Sequence, residues 1–295
     1  MKQPAIAIER ILCPVDFSEF SVLAFAYASS LAQHFRANLF TQYVIEMGQY
    51  PSADFAPNAD AYDEFCSTLL CQGEARLRAF IQAHRQYDVD PQCICSKGMA
   101  ADAILCFAKQ KAINLIVMGT HGHRGFERLM LGSATEKVLR MAQCPVLAVP
   151  EPDRKPDVSK DVVDLRRIIA CTDFSEFSER VLHHAIFVAK EYKADLTLVH
   201  VIENVSTPGC VEETATAYKR LDELISAQGK LEITITTAVR IGRSYREICR
   251  LGRDHRAELV IMAVHGGNSS DRAIFGSTTY RVIQSGTCPV LTIPA

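Results

Sequence analysis

The residues of this chain best suited to chemistry lie between Val117 and Val149, VMGTHGHRGFERLMLGSATEKVLRMAQCPVLAV. The apolar run Leu115-Ile116-Val117-Met118 reads as a buried parallel strand. Gly119 and Gly122 follow it, and after nine more residues comes Gly132-Ser133. Glycines directly after a strand let the backbone approach a ligand, because no Cβ intrudes. The N–H groups that open the next helix, at the positive end of its dipole, favour an anion such as phosphate. Val138, Leu139, Met141 and Ala142 recur at helical spacing, and Ser133 with Glu136 has the spacing of a capping box. Cys144-Pro145 ends that helix, and Val146 to Val149 reads as the next strand. Ser133, Ala134 and Thr135 are therefore the candidate donors to an anion.

The stretch occurs twice. Residues 261–294 read IMAVHGGNSSDRAIFGSTTYRVIQSGTCPVLTIP, so that Met262, Gly266, Gly276, Ser277 and Cys288-Pro289-Val290-Leu291 recur in register. His121 pairs with His265 and Arg128 with Arg272. One position departs: Ala263 stands where the first copy has Gly119. If Gly119 needs a positive φ, alanine there costs roughly 1 kcal/mol or more. If it is glycine only for space, the methyl crowds the ligand. The expectation is an intact first site and a degenerate second one.

The elements that must position these residues follow from periodicity. Arg10 to Val15 is a strand, ending in Asp16-Phe17-Ser18-Glu19-Phe20-Ser21. Ser18 can cap a helix running to about Phe35, with Ala24, Ala28, Leu31 and Ala32 on its inner face. Asn38 to Ile45 is the second strand, and a helix follows an irregular segment and runs to about Tyr87. Pro91 to Ser96 is the third strand, then come Gly98 and a helix over Ala101 to Lys111. This alternation with short turns argues for a parallel sheet covered on both faces. Glu151 to Asp164 is charged, carries two prolines and reads as a linker. The plan then restarts: Arg167 to Cys171 is a strand, and Asp173 to Ser178 repeats DFSEFS letter for letter. Ala194 to Ile202, a helix over about Glu212 to Ala227, Glu232 to Arg240 and Leu259 to Met262 complete a tandem duplication. The expected domains are 1–150 and 165–295, with 151–164 between them.

Composition narrows the classes. The chain has 295 residues, 48% hydrophobic and 22% charged, the balance of a globular protein with a good core. A net charge of −2 and no basic stripe give no case for nucleic acid or an anionic membrane. The first residues lack the apolar run of a signal peptide, and no stretch nears the ~20 apolar residues of a membrane span; a cytoplasmic protein is expected. Of eleven cysteines, Cys13, Cys106, Cys144, Cys171, Cys249 and Cys288 read as small core hydrophobes. Cys93 and Cys95 share a strand face and could bind zinc with His121 or His123, but no second pair at zinc spacing exists, and no metal site is expected.

With both halves laid out, the chain resembles the universal stress protein family in its tandem two-domain form. The G-x-x-G, nine residues, G-[ST] spacing, the Asp after the first strand and the Cys-Pro-Val-Leu ending are similar to those of the ATP-binding members. The resemblance implies an α/β fold of two tandem flavodoxin-like (Rossmann-like) domains. Each is a five-stranded parallel sheet of order 3-2-1-4-5 with helices on both faces. In that order the topological switch point lies between strands one and four, where open α/β sheets bind ligands.

It further implies an adenine-nucleotide site. Val15 and Asp16 face the adenosine, Val44 packs on the base, and Met118 and Gly119 line the base and ribose. Gly122 gives the phosphates room, and Gly132, Ser133, Ala134 and Thr135 donate to them. The second-copy equivalents are Thr172, Asp173, Val201, Met262, Ala263, Gly266, Gly276, Ser277, Thr278 and Thr279. The implied cofactor is ATP, with or without Mg²⁺, and the implied role is a nucleotide-dependent stress-response module. The alternatives are a weak ATPase, with His121 or His265 as base, and a nucleotide-free dimerisation or scaffold protein. Family dimers join through the last strands of their sheets. That implies an internal pseudo-dimer, a further homodimer and an unidentified protein partner.

Overall fold

The computed structural model describes residues 6–50, 59–121, 131–150, 163–203, 210–229, 231–264 and 276–294. The chain forms two compact units, essentially 7–151 and 164–295.

The N-terminal domain runs β1 (Arg10–Pro14), α1 (Glu19–Phe35), β2 (Asn38–Ile45), α2 (Ala59–His84), β3 (Gln92–Lys97), α3 (Ala100–Gln110), β4 (Leu115–Gly119), α4 (Ser133–Met141) and β5 (Val146–Val149). Its strands lie in the order β3-β2-β1-β4-β5, and every neighbouring pair is parallel. The C-terminal domain runs β6 (Arg167–Thr172), α5 (Ser178–Tyr192), β7 (Asp195–Ile202), α6 (Cys210–Ser226), β8 (Ile235–Ile241), α7 (Ser244–Asp254), β9 (Leu259–Ala263), α8 (Ser277–Ser285) and β10 (Val290–Ile293). Its order is β8-β7-β6-β9-β10, again all parallel.

Right-handed crossovers dictate the layering. The chain steps from β1 outward to β3, then returns past β1 to β4 and β5. Hence α1 and α2 cover one face of the sheet and α3 and α4 the other. Side chains of β2 confirm the division. Tyr43 meets Phe17, which lies under Arg76 of α2, whereas Gln42 donates to the Ala103 carbonyl of α3 at 3.4 Å. Alternation along the strand then puts Val44 on the α3 side.

The apolar inner faces form the core. Ile11, Leu12, Ile116, Val117, Val138 and Leu77 are essentially inaccessible in the first domain, as are Ile168, Ile169, Ile261, Val282 and Leu221 in the second. Ala24, Ala28, Leu31 and Ala32 are buried along α1 as its periodicity requires. Most of the cysteines placed in the core are buried or half-buried there; burial pushes the Cys144 and Cys288 thiols up to about 12, so they are inert at neutral pH. Cys106 is the exception, exposed on α3 and accepting a hydrogen bond from Gln110.

Gly98 and Gly242, after β3 and β8, have φ of 135° and 144°, a region closed to residues with a Cβ. They turn the chain from the third strand into the helix of the opposite face. Their N–H groups are held by the Ile45 and Ile202 carbonyls, each at 3.0 Å.

Candidate functional site

The site is assembled around the end of β4. Glycine at 119 is required by neither of the reasons read from sequence. Its φ is not positive, and a Cβ there would lie 2.9 Å from Phe20 Cβ and 3.1 Å from the Phe20 carbonyl group. The missing side chain makes room for the first turn of α1, on the face away from α3 and α4. From the other face, Thr135 of α4 donates its hydroxyl to the Gly119 carbonyl at 2.9 Å. The starts of α1 and α4 therefore meet the same residue, one from each face of the sheet.

Most of the residues read as site residues lie in described parts of the chain. Val15 is buried, with its N–H on the Gln42 carbonyl at 2.8 Å. Asp16 is half-buried, and its Oδ1 accepts from the Ser18 N–H at 3.0 Å and the Ser18 hydroxyl at 2.6 Å. Ser18 in turn caps α1 by accepting from the Ser21 N–H. One oxygen of Asp16 is thus committed to shaping the loop. Val44 and Val201 are half-buried on the α3 and α7 faces. Met118 and Met262 are buried in the sheet and present backbone only. The hydroxyls of Thr135 and Thr279 are not free donors; they bind the Gly119 and Ala263 carbonyls, each at 2.9 Å. The Thr172 hydroxyl is also engaged, accepting from the Phe174 N–H and donating to Ser178. Asp173 is exposed and accepts from the Ser175 N–H at 3.0 Å. Gly122, His123 and Gly266, with His265, lie outside the described residues.

The expected capping box does not form. Gly132 is the N-cap of α4, Ser133 is its first helical residue, and no side chain caps the helix. Gly276 plays the same part in α8, also without a side-chain cap. Ser133 and Ser277 are exposed at the front of these helices. Glycine N-caps without a capping side chain leave first-turn amides for an outside acceptor, and an anion at such a position gains about 0.3–2 kcal/mol from the dipole alone.

In the C-terminal domain this helix start opens on a cavity of about 440 Å³ lined by Glu203, Gly242, Arg243, Tyr245, Ser277, Thr278 and Arg281. Nucleotide-sized ligands occupy pockets on that scale. The Ser244 N–H donates to Glu203 at 2.6 Å and holds that carboxyl below its ordinary pKa. Of the lining, sequence reading had found Ser277 and Thr278. It missed Glu203, Gly242, Arg243, Tyr245 and Arg281, although the signal was present: Glu203 matches Glu46, Gly242 matches Gly98, and an Arg-Ser-Tyr-Arg run follows that glycine.

Cys93 and Cys95 sit on β3, separated from His121 after β4 by two strands. Among the described residues no three His, Cys, Asp or Glu side chains come together as metal ligands. Also among the described residues, no helix is long and apolar enough to cross a membrane.

The chain is thus a duplicated, open parallel α/β domain, with a helix start that no side chain caps after the fourth strand of each copy. The sequence model of the universal stress protein family matches residues 7–150 and again 164–294, and the chain belongs to that family. The universal stress protein MJ0531 of Methanocaldococcus jannaschii is 31% identical over 147 residues, 50% of this chain and 85% of that protein. The universal stress protein YxiE of Bacillus subtilis is 29% identical over 145 residues, 48% of this chain and 97% of that protein. The crystal structure of a universal stress protein from Archaeoglobus fulgidus superposes with a TM-score of 0.69 at 22% identity, covering 98% of both chains. It shares the tandem fold.

Proposed function

We infer that both domains hold an adenine nucleotide, with its phosphates at the first-turn amides of α4 and α8 and its base toward Val44 and Val201. The observation that carries this reading is the pair of glycine-capped helix starts, each tied through a threonine to the end of the strand at the switch point. Family membership supports it. A second site is included in this reading because Gly119, which Ala263 matches, makes room for the first turn of α1, so that the alanine is no argument against a ligand. ATP is the expected ligand, and any Mg²⁺ would be carried mainly by the phosphates, as that ion commonly is. The role is that of a stress-response module that reports bound nucleotide to a protein partner, in a cytoplasmic homodimer. Hydrolysis is not part of the reading. His121, the base an ATPase would use, is stacked on Phe20 and bonded to the Thr120 hydroxyl at 2.9 Å.

The test is to denature the purified chain and quantify the released nucleotide by mass spectrometry. Two equivalents per chain are expected. Ala134→Glu and Thr278→Glu, which set a carboxylate where a phosphate would sit, should each remove one. Wild-type chain that neither retains nor rebinds adenine nucleotide would return the protein to the scaffold class.

A further inference from the structure

The two domains carry different charge at the same four positions beside this site, neutral in one and positive in the other. In the N-terminal domain these are Met99, Ala101, Asp102 and Lys137; Lys137 and Asp102 form an ion pair at 2.6 Å that ties α4 to α3 and cancels the charge. In the C-terminal domain the matching residues are Arg243, Tyr245, Arg246 and Arg281. Arg281 lies over the Tyr245 ring at 5.0 Å and Arg246 at 5.7 Å, and Arg246 Nε donates to the Tyr245 hydroxyl at 3.0 Å. The Arg246 hydrogen bond, with the charges of Arg246 and Arg281, holds the Tyr245 phenol below its ordinary pKa, the signature of unbalanced positive charge. Among the described residues no carboxylate lies within ion-pair distance of Arg243, Arg246 or Arg281. Of the acids nearby, Glu203 accepts from the Ser244 N–H and feels the charge of Arg243, and Glu247 lies against Gly242, two carboxylates for three guanidiniums.

Arg243 and Arg281 line the cavity with Tyr245, and Arg246 lies over the same ring, which marks a place for an anion. Arginine is the side chain suited to bidentate phosphate recognition. The cavity joins that place to the α8 start: Ser277, Thr278 and Arg281 belong to α8, while Arg243 and Tyr245 stand at the start of α7. The start of α7 follows β8 and the start of α8 follows β9, with β7 and β6 between those strands in the sheet. A ligand with negative groups on opposite sides of a spacer meets both ends of that lining.

We propose that the arginine cluster of the C-terminal domain is a second anion subsite, so that this domain takes a nucleotide phosphorylated at both its 5′ end and its ribose 2′ or 3′ hydroxyl, while the N-terminal domain does not. The proposal rests on the nucleotide reading above and adds a specificity that the two domains do not share.

Calorimetric titration of the full chain with AMP, ATP and adenosine 3′,5′-bisphosphate tests it. The bisphosphate should bind one site at least about tenfold tighter than AMP, with the steeper salt dependence of a more charged contact. The double variant Arg243→Met, Arg246→Asp, which copies the N-terminal domain, should abolish that preference and bring the bisphosphate down to the affinity of AMP. Arg243→Lys, which keeps the charge, should retain part of it and guards against misreading a folding defect. Equal affinity for AMP and bisphosphate in the wild type, or a preference that survives the double variant, would overturn this proposal alone. So would an equal arginine-dependent gain for ATP, since the cluster would then serve one continuous phosphate chain. Failure of every nucleotide to bind would overturn the underlying nucleotide reading as well.

Discussion

DFSEFS follows the first strand of both domains, yet its six residues take two conformations. In the N-terminal domain Ser18 caps α1, which starts at Glu19. In the C-terminal domain Glu176, the counterpart of Glu19, is not helical, and α5 starts two residues further on at Ser178. The last four residues lie against β4 or β9, and there the domains differ. Glycine at 119 admits the backbone of Phe20; alanine at 263 cannot admit Phe177 equally closely. Thr172, standing where Val15 stands, supplies a hydroxyl that draws in Ser178 and the Phe174 N–H instead. What is common to both domains is the left-handed phenylalanine. Phe17 and Phe174 have φ of 67° and 61°, a conformation held by rings and guanidiniums: Tyr43 and Arg76 in one domain, His200 and Arg220 in the other. A short motif thus fixes its anchor by its own residues and its helix start by residues far away in sequence.

Substitutions made in pairs sharpen this comparison. The largest effect is expected from a symmetric pair in the cores, Leu77→Ala and Leu221→Ala, both wholly buried on matching helices. Each should lower the stability of its own domain by about 2–5 kcal/mol in denaturant unfolding; a large difference between them would show that the cores are not equivalent. Gly119→Ala comes next. Its methyl would press on the Phe20 backbone, and a loss of about 1–3 kcal/mol is expected, with the exchange protection of the first turn of α1 falling toward that of α5. Unchanged protection would remove the account of the two helix starts given above. Third, Ser18→Ala should cost about 1 kcal/mol as a lost cap. Its twin Ser175→Ala should change stability by no more than about 0.5 kcal/mol, because the Ser175 hydroxyl is buried without a hydrogen-bond partner among the described residues.

The smallest effect is a pH dependence. Burial, and secondarily the charge of Arg220, lowers the pKa of His200, while its bond to the Thr172 carbonyl acts in the other direction. Burial likewise lowers those of His183 and His184. The unfolded chain therefore binds protons first. Stability of the C-terminal domain should be complete above the free-histidine value of about 6.5 and decline as pH falls below it. His200→Tyr, which copies Tyr43, should flatten part of that decline in melting curves between about pH 5 and 7, leaving the share due to His183 and His184. An unchanged slope would mean that His200 is not among the titrating groups.

The fold was legible in the residues because periodicity, capping and punctuation all agreed. Asn38–Ile45 and Val146–Val149 fall where the sequence puts them, and Ser18 caps as read. The site was legible only as far as chain distance allowed. That β1 and β4 meet follows from strand order. That Gly119 faces α1 does not follow from any local pattern, because a glycine left small for a ligand and one left small for a helix look alike in sequence. The same limit hid the hydroxyls of Thr135 and Thr279, which sit at donor positions but are spent on the strand carbonyls. The arginine cluster escaped for another reason. Its members come from two helices, and only the sheet's topology brings Arg243, Arg246 and Arg281 around one ring.

Gly98 and Gly242 carry a consequence for how far twin domains can drift apart. Both occupy backbone geometry that only glycine adopts readily, and both sit where the polypeptide hands over from one side of the sheet to the other. The very next residue is methionine in one copy and arginine in the other. After duplication, then, the pivot is frozen by sterics whatever the domain binds. Its immediate neighbour is open to change, and a new ligand preference can be written there without rebuilding the scaffold.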